Sequence, residues 1–184
     1  MTLEAFLDWE SRQEFKHEFD GFHPVANTGV TAARAPIQFN LVGLLLNRLR
    51  GHRCQAYGGD LKIQVVARIR YPDAFIVRSP VPPGTTMIHD PVVVFEILSP
   101  GTSYKDRVEK NNEYRDTLSI QRYVILERSQ PPATVFSHAA NDWVGHIVSG
   151  ETDLALPEIE TTLPLTDLYE GVTFPPTPDE MQAG

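Results

Sequence analysis

A chain of 184 residues, 41% hydrophobic and 22% charged, suits one compact domain with a full-sized core. Its net charge of −8 argues at first sight against a nucleic-acid partner. No apolar run approaches the roughly 18–20 residues that cross a bilayer. The opening residues carry Glu4, Asp8, Glu10 and Glu14 and lack the basic and apolar regions of a signal peptide, so a cytoplasmic location without membrane contact is expected. Cys54 is the single cysteine, which excludes an intrachain disulfide; with no base named nearby it reads as a buried strand residue.

Residues 2–12 read as a short helix, with Thr2 as N-cap and Leu3, Phe6 and Leu7 as its apolar stripe. Phe15 to Gly21 reads as a short strand and an Asp-Gly turn. Residues 36–50 form a second helix: Ile37, Leu41, Leu44, Leu45 and Leu49 recur at helical spacing, between Pro36 in the first turn and Gly51 as C-cap. Four apolar strand-like runs follow, Arg53–Tyr57, Leu61–Val66, Asp73–Val77 and Val92–Leu98, with Gly58-Gly59 expected to join the first two as a hairpin. A third helix spans roughly Ser103–Leu118, then a buried strand Arg122–Leu126, then a hairpin of Thr134–Ser137 and Trp143–Val148 across Asn141. The expected organisation is one α/β (α+β) domain over residues 1–174, a mixed central sheet flanked by helices, with a disordered tail at 175–184.

The charge is unevenly spread. All sixteen lysines and arginines lie at or before Arg128, and nine acids follow Asn141. Within residues 48–70, Arg48, Arg50, Arg53, Lys62, Arg68 and Arg70 face Asp60 alone, a stretch that could neutralise phosphates or simply keep a hairpin soluble.

Val92-Val93-Val94-Phe95-Glu96-Ile97-Leu98 does not alternate, so it reads as a central strand buried on both faces, with Glu96 inside it beside Val94 and Leu98. A lone carboxylate there costs several kcal/mol unless paired or metal-bound. Asp73 follows Pro72 at the start of another strand, where it can point across to a neighbouring carboxylate. Two such groups repel unless a cation joins them, and hard oxygen ligands suit Mg²⁺ or Mn²⁺. Asp73 and Glu96 are therefore expected to converge as metal ligands on adjacent strands, with at least one pKa raised.

Pro72-Asp73 followed after 22 residues by Glu96 resembles the PD-(D/E)XK nuclease superfamily. Glu18-Phe19-Asp20-Gly21, Gly59-Asp60-Leu61, Tyr71-Pro72-Asp73, Glu96-Ile97-Leu98-Ser99-Pro100, Asp106…Lys110…Tyr114 and the closing Leu163-Pro164-Leu165…Leu168-Tyr169 resemble one family within it, small bacterial proteins described as putative restriction endonucleases. The likeness covers about residues 1–170. It implies a restriction-endonuclease-like fold and Mg²⁺-dependent hydrolysis of phosphodiester bonds in DNA, leaving a 5′-phosphate and a 3′-hydroxyl. A homodimer is expected, since two sites related by a two-fold axis cut two antiparallel strands most simply.

The superfamily's usual lysine, two residues after the acid, is replaced by Leu98. The resemblance implies Lys110 instead, on one helical stripe with Asp106 and Tyr114; Lys62 and Lys105 are the alternatives, and a surface Asp–Lys pair is the plainer one. Lys110→Ala is expected to abolish cleavage with little loss of stability. Glu18 is a candidate supporting carboxylate or an exposed strand residue; Asp60 is a ligand or a turn residue. No zinc spacing, P-loop, G-x-S-x-G or G-x-G-x-x-G occurs. Two rivals remain, a non-catalytic module that keeps the fold and a nuclease acting on RNA.

Overall fold

The computed structural model describes residues 1–27, 34–98, 104–128, 131–139 and 142–174, and the backbone alone at 104–106. In chain order the first half runs α1 (Leu3–Glu10), β1 (His17–Phe19), β2 (Pro24–Ala26), α2 (Ala35–Arg48), β3 (Gln55–Gly58), β4 (Lys62–Val65), β5 (Arg68–Arg70), β6 (Ala74–Val77) and β7 (Met87–Ile88). The second half runs β8 (Val93–Leu98), α3 (Tyr104–Asp116), β9 (Arg122–Glu127), β10 (Ala133–Ala139), β11 (Asp142–Val148), β12 (Asp153–Leu156), a 3-10 turn (Pro157–Ile159), β13 (Thr161–Pro164) and α4 (Leu165–Leu168). The expected disordered tail and the joint of the last hairpin lie outside the described residues.

The expected mixed α+β architecture is what forms. A six-stranded sheet has the order β11-β10-β9-β8-β6-β3, with β8 and β9 parallel and the other pairs antiparallel. A five-stranded sheet has the order β2-β1-β5-β4-β7, and β12-β13 is a separate ribbon. All six residues of β8 and all four of β6 are buried. Val93, Phe95 and Ile97 belong to one core with Ile37, Leu41 and Leu45 of α2, while Val94 and Leu98 join Phe75, Ile63 and Tyr114 on the other face. The strand's lack of alternation thus has its expected cause: both faces are covered.

Thr2 caps α1, its Oγ1 accepting from the Ala5 N–H at 3.2 Å. Gly51 takes φ +78° just beyond α2. Trp9 stacks edge-on against His17, and Trp143 lies across the β10–β11 hairpin from His138. Cys54 is buried just before β3.

One expectation fails. β3 and β4 are no hairpin; β3 pairs with β6 in the larger sheet and β4 with β5 and β7 in the smaller one. The two glycines mark a crossing rather than a reversal: a Cβ at Gly59 would sit 3.3 Å from the Pro72 carbonyl and 3.2 Å from the Gln38 amide. The true hairpin, β4–β5, turns at Val66, whose φ is +53°.

Candidate active site

The β6–β8 register pairs Ala74 with Phe95, so one further step sets Asp73 opposite Glu96 on the face shared by Phe75 and Val94. Both residues are 1% exposed. Asp73 is held from three directions. Arg34 Nε donates to Oδ1 at 2.6 Å, Arg34 Nη2 lies 2.5 Å from Oδ2, and the Ile97 N–H donates to Oδ2 at 2.7 Å. Even so, burial and the Glu96 charge outweigh these donors and push its pKa up to about 6.

Glu96 takes two donors on Oε1, Lys110 Nζ at 2.9 Å and the Tyr114 hydroxyl at 2.7 Å. Both come from α3 and are one helical turn apart, as the i, i+4 spacing requires. Burial works against the Lys110 charge, but Glu96 and Glu18 more than restore it and hold its pKa above the ordinary value. Tyr114 is pushed well above its usual range by burial and by Glu96, so it acts as a donor only.

Glu18 stands behind this centre, 3.8 Å from Lys110 Nζ and bound by Arg70 Nη1 and the Tyr71 N–H, each at 3.1 Å. Arg70 also forks onto Glu113 of α3 with two 2.7 Å bonds, and Arg68 joins it. This clamp matters because α3, YKDRVEKNNEYRD, has no broad apolar stripe; polar contacts such as Arg107–Glu127 at 2.6 Å share in seating it on the sheets.

The structure therefore brings together Asp73, Glu96, Lys110, Tyr114 and Glu18. It does not bring in Lys62, whose ammonium is 2.5 Å from Glu10, or Asp60, which is fully exposed in the turn and paired with Lys16. The side chains of Lys105 and Asp106 lie outside the described residues. Arg34 and Glu113 were not singled out from the sequence, and Arg70 only as one charge of a basic stretch; their partners lie 39 to 52 positions away, beyond any local pattern.

Residues 3–166 match the family described as "Uma2: Putative restriction endonuclease", which spans most of the chain. The chain belongs to the Uma2 family. It is 29% identical over 178 residues to the uncharacterized protein slr1290 of Synechocystis, covering 95% of this chain and 94% of that one. A solved structure from Anabaena variabilis, described as a putative nuclease belonging to DUF820, superposes with a TM-score of 0.78 at 16% identity, covering 94% of this chain and 99% of the other. That likeness establishes a shared fold.

Nucleases of the Uma2 kind usually use divalent metals, and the donor set here fits one. Two carboxylates on adjacent strands offer hard oxygens, and burial first, then the Glu96 charge, raises the Asp73 pKa, which a bound cation would lower again. Among the described residues no group of three or more His, Cys, Asp or Glu is gathered to hold a metal, so the side chains alone do not enclose an ion. A cleft of about 590 Å³ adjoins Asp73, lined in part by Arg34, Lys16, Phe15, Phe39 and Gln38. The basic stretch at 48–70 serves it less than its charge suggests. Lys62, Arg68 and Arg70 are bound to Glu10 and Glu113, and Arg48, Arg50 and Arg53 are the exposed remainder. No helix among the described residues is long and apolar enough to cross a membrane.

Proposed function

We propose that this Uma2 chain is a Mg²⁺- or Mn²⁺-dependent endonuclease that hydrolyses phosphodiester bonds in DNA, acting as a homodimer. The observation that carries this reading is the meeting of Asp73, Glu96 and Lys110 at one buried point, beside a cleft open to solvent. Asp73 and Glu96 would hold the ion. Once bound, it would polarise a phosphate oxygen and lower the pKa of a coordinated water.

The chain's own residues do the rest. The Ile97 N–H and the Tyr114 hydroxyl fix the two carboxylates before any ligand arrives. Lys110 stays charged, orients the attacking water and offsets charge developing on the phosphate. Glu18, itself fixed by Arg70 and the Tyr71 N–H, limits where Lys110 can lie. Buried side chains behind the pair exclude competing solvent from the far side.

Membership of a family of putative restriction endonucleases, and the likeness to the Anabaena putative nuclease, support a nuclease. The run of acids beyond Asn141 favours a second reading, a module that keeps the fold without turnover. The deciding experiment is a panel of plasmid, linear duplex and single-stranded DNA, with RNA alongside, incubated with Mg²⁺ or Mn²⁺. Cleavage of DNA by wild type and none by Asp73→Ala is expected; an inert wild type would favour the second reading, and a preference for RNA would reassign the substrate. Sedimentation at micromolar concentration tests the dimer.

A further inference from the structure

Each carboxylate of the central pair carries its own internal cation, but not in the same way. On Glu96, Lys110 and Tyr114 both bind Oε1, and no donor from the described residues is on Oε2. On Asp73, the Arg34 guanidinium spans both oxygens, and the Ile97 N–H adds a second donor to Oδ2. A carboxylate oxygen offers about two lone-pair sites, so Oδ2 is full and Oδ1 half taken. Glu96 stands ready for a further ligand and Asp73 does not.

We propose that Arg34 holds the place of a divalent cation on Asp73 and transfers to the substrate phosphate when the cation binds. This rests on the metal-dependent nuclease reading above. Three observations carry it. The fork is bidentate and tight, the geometry in which a guanidinium substitutes for a doubly ligating ion. The Arg34 side chain is 26% exposed while Asp73 is buried, so Arg34 is the partner able to leave. Arg34 also lines the solvent-open cleft together with Lys16 and Gln38, so the released guanidinium swings into the cleft rather than the core. There its planar donors match a phosphate.

The test uses the full-length chain, with Mg²⁺ alone as first probe. Isothermal titration should show Arg34→Lys binding Mg²⁺ about tenfold more tightly than wild type, the worth of one charge-assisted hydrogen bond. Lysine keeps the charge but cannot span both oxygens, which separates loss of the fork from loss of charge. Arg34→Met should bind at least as tightly yet cleave DNA more slowly than wild type. In ¹⁵N spectra of wild type, the Arg34 Nε–H signal should move to the position of a solvent-exposed arginine as Mg²⁺ saturates. An Arg34 signal unmoved at saturation, or tightening by Arg34→Met alone, overturns the exchange while leaving the metal reading intact. Absence of Mg²⁺ binding in wild type and both variants overturns the metal reading and the exchange with it.

Discussion

Asp73→Asn should make the protein more stable at alkaline pH while destroying its activity. In the folded chain the Asp73 carboxyl titrates at about 6 against an ordinary 3.8, chiefly because it is buried and secondly because Glu96 is near. The folded state thus prefers the protonated acid, and that contribution is fully present below about pH 4 and lost as pH rises through about 6. The difference corresponds to a penalty on the order of 3 kcal/mol at pH 8. Asparagine removes it and still accepts from the Ile97 N–H; like the protonated acid it leaves Arg34 without a counter-charge, a loss already contained in that figure. A gain of about 2–3 kcal/mol at pH 8 is therefore expected. Urea unfolding of wild type and variant at pH 4.5 and pH 8, without metal, measures this directly. The two curves should differ by only about 1 kcal/mol at the lower pH and separate further at the higher one. A variant less stable than wild type at pH 8, or a gap independent of pH, would refute the account of Asp73 as a strained acid.

Lys110→Ala should abolish cleavage and also cost about 1.5–3 kcal/mol in urea unfolding, contrary to the sequence-based expectation of unchanged stability, because it strips the buried Glu96 of its cation. The double variant Glu96→Gln/Lys110→Ala should recover part of that loss; no recovery would sever the link between the two residues. Tyr114→Phe keeps the ring contact with Tyr123 at 4.7 Å but removes one donor from Glu96, so about 1–2 kcal/mol of stability should be lost, read from thermal unfolding. Gly59→Ala should cost about 1–3 kcal/mol by forcing the backbone away from Pro72, and an unchanged melting temperature would show that the crossing has slack. Mg²⁺ at a hundred times its dissociation constant should add about 2.7 kcal/mol to wild type, an increment absent from Asp73→Ala.

What could be read from the sequence divides along a physical line. β8 and β6 were legible because continuous burial leaves continuous apolar runs, and an acid inside such a run is conspicuous. Lys110 came from the family resemblance, and helical spacing added that it shares one stripe of α3 with Tyr114. Arg34 was invisible: its role exists only through Asp73, 39 residues on, and nothing around Ala35-Pro36 marks it. β5 was missed because Arg68-Ile69-Arg70 is three residues long with two charges, which only Glu113 and Glu18 explain. The Gly58-Gly59 hairpin was misread because glycine marks close backbone approach as well as reversal, and the chain's actual reversal uses Val66 without glycine or asparagine.

The clamp between Arg70 and Glu113 bears on the order in which this protein matures. Asp73 and Glu96 meet through the pairing of two strands close in sequence, an event that needs only the larger sheet. Lys110 is different: its helix is fastened one turn further on, through Glu113, to the second sheet, whose middle strand β5 carries Arg68 and Arg70. The acids should therefore converge before Lys110 is fastened beside them. In pulsed hydrogen exchange during refolding, β6 and β8 should gain protection before α3, and catalytic competence should arrive with the slower phase. A nascent chain would thus pass through a stage in which the acid pair is formed but Lys110 is not yet fastened beside it, until the second sheet docks.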